Sequence, residues 1–398
     1  AVSLISCARR HPMLRLMILS CLCNAAASAQ APPNPCTAAE CTPIFYPGLN
    51  GSQCYRIPSI IATHRGTLLA FAENRLDGCG DQGTHNLVVR RSSDNGATWG
   101  PLITVFAGVV PCPGCPAAVS NPNPVEVTFP NGTRSILLAF DTMNNPRPWS
   151  HGLDMTMWSH DDGVSWVGAR ATEYPPQPNV GSLIGPAVGL QLQAPEARGQ
   201  IVFWITSGFL AVSKDYGETF TASQHVLKEP CCSECSIAFA AGPGNSTLIM
   251  NCRSGQDSRR AQLYWSLLDN GTYASTEPTY PTQLTDPGCQ GSILSAAAGA
   301  GSVPGSGSGA GAATHVLYTS NAASTSARER MTIHRSDDGG VSWSAGQVIH
   351  AGPSAYSQLV QLPNGSMAVL FEAGVRGAYE TISFAPFATP PHTGPDFY

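Results

Sequence analysis

Hydrophobic and polar positions divide the chain into short segments that alternate or run apolar. Each is closed by Gly, Pro, Asn or Asp. Twelve such segments cover 66–72, 86–91, 135–140, 154–159, 200–205, 209–213, 247–252, 262–267, 315–319, 331–335, 367–371 and 381–384. A period of two, or a short apolar run bounded by turn residues, predicts a β-strand. No 12-residue window carries the 3.6-residue period of an amphipathic helix, so the pattern predicts an all-β protein.

Four of these segments end in the same phrase. SSDNGATW, SHDDGVSW, SKDYGETF and SDDGGVSW begin at Ser92, Ser159, Ser213 and Ser336, and share Ser-x-Asp-x-Gly-x-x-aromatic. The steps are 67, 54 and 123 residues, the last about twice the others, so a unit near 255–300 has lost the phrase. Self-similarity at about 50–60 residues predicts propeller blades. Residues 30–398 would hold about six four-stranded units. The Gly/Ala/Ser-rich stretch 296–313 has nothing to bury and reads as an inserted loop.

The phrase itself reads as scaffold. Its Ser and Asp side chains bond local backbone, its Gly supplies a positive φ, and its aromatic packs between sheets. It lacks the acidic ligands at positions 1, 3, 5 and 12 of a calcium-binding EF-hand loop.

Composition adds three constraints. A net charge of −5 over 398 residues, with 12% charged residues, argues against a nucleic-acid partner. Arg9, Arg10 and Arg15 lead into an apolar stretch at 14–23, and Ala27-Ser28-Ala29 follows as a small-x-small cleavage site. This predicts a signal peptide at 1–29, a lead-in at 30–52, a propeller domain at 53–390 and a tail at 391–398. No later apolar run reaches 18 residues, so no membrane span is expected. Sequons at Asn50, Asn131, Asn245, Asn270 and Asn364 fit the secretory pathway, with a secreted or lysosomal/vacuolar destination. Eleven cysteines follow the signal, an odd number, so at least one is free or pairs between chains. Cys112-x-x-Cys115 and Cys232-x-x-Cys235 read as disulfide cysteines in that compartment, because their separation is not that of a zinc ribbon.

The unrepeated residues carry the chemistry. Tyr55-Arg56-Ile57-Pro58, the run FAENRLDGCGDQGTHNLVVRRSSDNG (71–96), Glu234 with Asn251-Cys252-Arg253, Gly352-Pro-Ser-Ala-Tyr356 and Phe371-Glu372 occur in that order. Together with the repeated phrase, which matches the Asp box, they resemble the sialidase (neuraminidase) family. The box alone assigns no activity, since it also occurs in unrelated propellers.

The resemblance implies a six-bladed propeller and an exo-α-sialidase acting on sialylated glycans, with no cofactor or metal. It implies that Arg56, Arg253 and Arg328 bind the substrate carboxylate, as planar guanidinium forks suit. Counting eight residues back from Ser336 selects Arg328 over Arg330. Asp81, nine residues before Arg90, inherits the acid/base role ahead of Asp77. Arg75 matches a further pocket arginine, Tyr356 the nucleophile, Glu234 its base, and Glu372 the brace of Arg56. A neutral tyrosine suits an anomeric carbon that bears a carboxylate, and net retention follows. Three alternatives share parts of the pattern: a non-catalytic propeller that binds glycans or proteins, a trans-sialidase, and a hydrolase for the keto acids KDN or Kdo. Oligomeric state is not legible.

Overall fold

The computed structural model describes residues 34–36, 41–81, 83–108, 118–142, 152–177, 184–223, 227, 231–242, 244–297 and 315–390. The predicted signal segment, the 391–398 tail, all but the first two residues of the 296–313 stretch and the Cys112/Cys115 pair lie outside them. The described residues hold 23 strands and two short 3-10 turns.

The first strand, β1 (Thr42–Phe45), stands apart in its pairing. Four four-stranded antiparallel sheets follow. The first comprises β2 (Cys54–Ala62), β3 (Leu68–Arg75), β4 (His85–Ser92) and β5 (Ile103–Phe106). The second comprises β6 (Val119–Thr128), β7 (Arg134–Thr142), β8 (Asp154–Ser159) and β9 (Val167–Ala171). The third comprises β10 (Leu190–Gln191), β11 (Ile201–Ile205), β12 (Phe209–Ser213) and β13 (Thr221–Ala222). The fourth comprises β14 (Cys235–Phe239), β15 (Leu248–Cys252), β16 (Ala261–Leu267) and β17 (Tyr273–Ser275).

A seven-stranded sheet completes the set with β18 (Ser292–Ala297), β19 (His315–Ala322), β20 (Glu329–Ser336), β21 (Gln347–Gln361), β22 (Met367–Ala373), β23 (Thr381–Phe387) and β1. It is two blades sharing one long strand. The first half of β21 pairs with β20, and its second half with β22. β1 then pairs with β23 as the outer strand of the last blade. Inner-strand neighbours run β2 to β6, β6 to β10, β11 to β14, β14 to β18, β18 to β21 and β21 back to β2, closing a ring of six blades.

The core is correspondingly divided into inter-blade layers. Leu69, Phe71, Leu87 and Val89 pack with Ile136, Leu138 and Phe140 of the next blade. Alternate residues Leu68, Ala70 and Ala72 of the same strand pack with Leu370 and Phe384 of the preceding blade. Middle strands thus bury both faces, and read in sequence as apolar runs. The twelve segments expected from the pattern are the second and third strands of all six blades. The inner and outer strands did not stand out. β9, an outer strand, is exposed along its whole length.

All four Asp boxes form the turn between third and fourth strands. In each, the Ser hydroxyl donates to the Asp carboxylate and accepts from the Gly N–H. The Asp accepts in turn from the N–H and hydroxyl of Thr98, Ser165, Thr219 or Ser342. The box glycine has a second duty. Gly163 has φ +82°, and a Cβ there would stand 2.8 Å from Leu69 of the preceding blade. Gly96, Gly217 and Gly340 likewise press on Phe384, Leu137 and Ile249. The box therefore also seals one blade onto its neighbour. In the fourth blade the corresponding turn, between β16 and β17, reads Leu268-Asp-Asn-Gly271 and lacks the phrase, as the long repeat step predicted.

Candidate active site

Arg56 sits on the inner strand β2, where the ladder is interrupted between Arg56 and Ser59. Ile57 takes φ +60° and Pro58 has no N–H, so the motif Tyr-Arg-Ile-Pro encodes a bulge. A second irregularity interrupts β21 between Ser354 and Ser357, around Tyr356. Both bulges free backbone N–H groups, and one buried carboxylate collects them. Glu372, fully buried on β22, accepts from Ile57 N at 2.9 Å and Tyr356 N at 3.2 Å. It also takes a two-pronged ion pair from Arg56, through Nε at 3.0 Å and Nη2 at 3.2 Å. Burial disfavours the charge on Arg56, but Glu372 outweighs it and holds the guanidinium firmly protonated.

Glu234 and Arg253 flank β14 and β15, where Cys235 faces Cys252 in the ladder. Their 19-residue spacing is that of a cross-strand pair, continued by Arg253 N donating to Glu234 O at 2.9 Å. The Cys235–Cys252 disulfide ties the two strands beside them. The Tyr356 hydroxyl makes a short hydrogen bond to Glu234 Oε1. Arg253 Nη1 bridges Glu234 Oε2 at 2.8 Å and Tyr356 Oη at 3.3 Å. Burial and the Glu234 carboxylate push the Tyr356 phenol well above its ordinary pKa, against the pull of Arg56 and Arg253. The backbone behind the ring is fixed by Gln290, whose amide oxygen accepts from Ser357 N and whose amide nitrogen donates to Ser357 O.

Asp81 lies on the β3–β4 loop with its side chain half exposed. It accepts from Arg75 Nη1 at 2.8 Å and lies 3.5 Å from Arg56 Nη1. Burial favours its neutral form, but the charge and hydrogen bond of Arg75 prevail and hold its carboxyl below the usual value. Arg75 is almost wholly buried. Its nitrogens go to Glu73, to the Cys79 carbonyl and to Asp81. It is thus placed behind Asp81, with its donors taken up by protein acceptors. Asp77, the alternative acid, accepts from Thr84 N at the base of the loop.

Arg328 Nη1 donates to Tyr379 Oη at 2.6 Å, and its guanidinium lies 5.5 Å from the Tyr356 ring centre. Arg330 is exposed with φ +60° and makes no such contact. Among the described residues, no carboxylate lies within ion-pair distance of Arg328. Of the eight sequence-selected residues, the structure gathers Arg56, Asp81, Glu234, Arg253, Arg328 and Tyr356 around one space, with Glu372 and Arg75 behind them.

Two residues escaped the sequence reading. Glu73, fully buried, accepts from Arg75, from Ser120 Oγ at 2.6 Å and from Asn121 N at 3.0 Å. Its position two residues before Arg75 on a strand, hence on the same face, was the available signal. Tyr379 hydrogen-bonds Arg328 and stacks under Arg56, 4.2 Å from guanidinium to ring centre. Its segment carries no pattern that separates it from a packed aromatic. The two cysteines of Cys232-x-x-Cys235 are in disulfides but not with each other: Cys232 pairs with Cys231, and Cys235 with Cys252. Cys289 is free and buried.

With these additions the site holds four guanidiniums (Arg56, Arg75, Arg253, Arg328) and four carboxylates (Glu73, Asp81, Glu234, Glu372). Protonation of Asp81 leaves one uncompensated positive charge. Proton uptake at Asp81 and binding of an anion are therefore mutually favourable.

The BNR repeat-like domain model matches residues 66–369. The chain is 28% identical over 362 residues to the sialidase of Micromonospora viridifaciens, across 85% of this chain and 53% of that protein. It is 26% identical to Sialidase-3 of Bos taurus, across 87% of this chain and 92% of that one. The chain spans about half the length of the Micromonospora relative and 62% of a Bacteroides fragilis sialidase. Among solved structures, the Hadza microbial sialidase Hz136 superposes with a TM-score of 0.70 at 24% identity, covering 87% of this chain and 68% of that one. The intramolecular trans-sialidase from Ruminococcus gnavus gives 0.66 at 16%, covering 87% and 98%. At these identities the structural likeness speaks for the propeller fold. A domain match across most of the chain, with sialidases as its relatives, means that the chain belongs to the BNR repeat-like domain family as a sialidase-family member.

Proposed function

We propose that this chain is an exo-α-sialidase, a retaining glycoside hydrolase that removes terminal sialic acid from glycoproteins, glycolipids or oligosaccharides. The observation that carries this is the Tyr356–Glu234–Arg253 contact beside Arg328, an arginine with no carboxylate partner among the described residues. A sialoside brings its own carboxylate on the anomeric carbon. Arg56, Arg253 and Arg328 would bind it, each charge-assisted contact contributing about 1.5–3 kcal/mol.

A carboxylate nucleophile would meet that negative charge at a cost, which a neutral phenol avoids. The phenol is weakly acidic and further suppressed by burial, so it needs a base. Glu234 already accepts its hydrogen bond. As Tyr356 attacks, the phenol proton passes to Glu234, and Arg253 stabilises the developing phenolate. Asp81, protonated, donates to the departing glycosidic oxygen, then deprotonates the water that releases the sugar from Tyr356. Two displacements give net retention. Glu372 and Glu73 hold the arginines and bulged backbone in place.

The four disulfides among the described residues support a secretory-pathway location. Among the described residues, no helix is long and apolar enough to cross a membrane. The test is hydrolysis of a fluorogenic α-sialoside by the wild-type protein and by Tyr356→Phe, with NMR of the first-released anomer. Release by the wild type alone, as the α-anomer, is expected. No release by either protein favours a glycan-binding propeller, and the inverted anomer appearing first sinks the tyrosine mechanism.

A further inference from the structure

One covalent feature of the site has no part in the chemistry above. Cys54 and Cys79 form a disulfide. Cys54 precedes Arg56 by two positions on β2, so the two side chains leave the strand on the same face. Cys79 precedes Asp81 by two positions on the β3–β4 loop. The bridge therefore runs alongside the Arg56–Asp81 contact of 3.5 Å. The Cys79 carbonyl also accepts, at 2.6 Å, from the same Arg75 nitrogen that binds Asp81 at 2.8 Å. The strand end is itself pinned: Ser52 Oγ donates to the carbonyls of Cys54 and Arg75. Among the described residues the loop is otherwise held near its base, by Leu76 N donating to Thr84 O and Asp77 accepting from Thr84 N, and at one carbonyl, by the His85 ring at Gly80 O. Cys54 is fully buried in the blade while the Asp81 side chain is half exposed, so the bridge ties the loop that carries this carboxyl to a buried strand.

We propose that Cys54 and Cys79 are positioning residues, whose disulfide fixes the proton-donating carboxyl of Asp81 against the arginine that binds the substrate carboxylate. This deepens the catalytic reading above and rests on it. The bridge acts on proton donation, because Arg56 is held independently by Glu372, and Tyr356, Glu234 and Arg253 belong to other blades. Its loss should therefore matter in proportion to how badly the leaving group needs a proton.

The experiment compares wild type with the double variant Cys54→Ser/Cys79→Ser on two substrates. From sialyllactose the lactose leaves as an alkoxide that needs protonation, whereas 4-methylumbelliferone leaves readily without it. For the variant, kcat/KM on sialyllactose should fall by at least about tenfold, a fraction of the full worth of a general acid. On the methylumbelliferyl sialoside it should change by less than about threefold. A second variant, with the bridge intact and one glycine inserted after Gly80, should give the same selective loss and keeps the test available should the cysteine variant fail to fold. Equal losses on both substrates, no loss on either, or alkylation of Cys54 and Cys79 as free thiols in the active wild-type protein would overturn the inference. Failure of the wild type on both substrates would instead remove the catalytic reading on which it stands.

Discussion

Glu372 offers the sharpest perturbation of the site, because one side chain serves both arginine and nucleophile. Replacing it with Gln keeps the shape but removes the charge. One oxygen is also exchanged for an NH2 that faces donors: the original carboxylate accepts from Arg56 Nε, Arg56 Nη2, Ile57 N and Tyr356 N. Arg56, with a side chain only 7% exposed, would lose the partner of its buried charge. Removing one member of a buried ion pair costs about 3–5 kcal/mol. In a domain of this size that is a fall in Tm of roughly 4–7 °C. The catalytic cost is separate. Losing the fixed fork of Arg56 removes one charge-assisted contact to the substrate carboxylate, about 10- to 150-fold, and loosening Tyr356 adds to it. Glu372→Gln should therefore lower kcat/KM on an aryl sialoside by at least about 100-fold at a temperature where the variant is folded. Glu372→Asp, which keeps the charge but falls short by one methylene, should lie between. Calorimetry with steady-state kinetics reads both numbers. A Glu372→Gln variant within about threefold of wild type, with Tm lowered by less than about 2 °C, would refute the hub argument.

Four further outcomes follow. Because Asp81 donates only when protonated and Arg75 holds its pKa below the ordinary range, kcat/KM on sialyllactose should fall as pH rises, and a rate still climbing above about pH 7 would contradict the assignment. The scaffold should withstand that acidity. In the box carboxylates, bonds from Thr98, Ser165, Thr219 and Ser342 lower the pKa, outweighing burial at the last three, and bring Asp94 to about 2. Groups depressed on folding contribute fully above their unfolded pKa of about 3.9. Thermal melts should therefore hold down to about pH 4 and decline only as pH falls further through the depressed values. Arg328→Ala should abolish measurable turnover while Arg330→Ala leaves it near wild type, and the reverse would move the third arginine. Gly163→Ala, which strains a positive φ and presses on Leu69, should cost about 1–3 kcal/mol in chemical denaturation without changing kcat.

What the sequence disclosed follows the physics of each strand. Middle strands such as β3 and β7 are paired on both edges and buried on both faces, so their composition is nearly forced. Inner strands carry the site instead. Arg56, Ile57 and Pro58 break the ladder of β2, Asn121 takes φ +54° on β6, and β21 shifts register at Tyr356. A strand bulged to aim side chains at a ligand loses the alternation by which strands are recognised. Those same irregular segments were legible as motifs, because Tyr-Arg-Ile-Pro is rare where a plain apolar run is not. Tyr379 had neither signal, and Glu73 only its place two residues before Arg75 on the same strand. Each acts through partners 47 to 51 residues away in the chain, Ser120 and Arg328, and such contacts emerge only when blades meet. Arg75 shows the converse: its motif marked the residue, but only the fold revealed that its donors face Asp81, Glu73 and Cys79.

The central claim is that Tyr356 forms a covalent bond to the sugar. Incubation with a 3-fluorosialosyl fluoride, followed by proteolysis and tandem mass spectrometry, reads this directly, because the electron-withdrawing fluorine slows release of the adduct. The sialosyl mass should appear on the Tyr356 hydroxyl and vanish in Tyr356→Phe. An adduct on Glu234 or Asp81, or none while the reagent is turned over, would contradict the account.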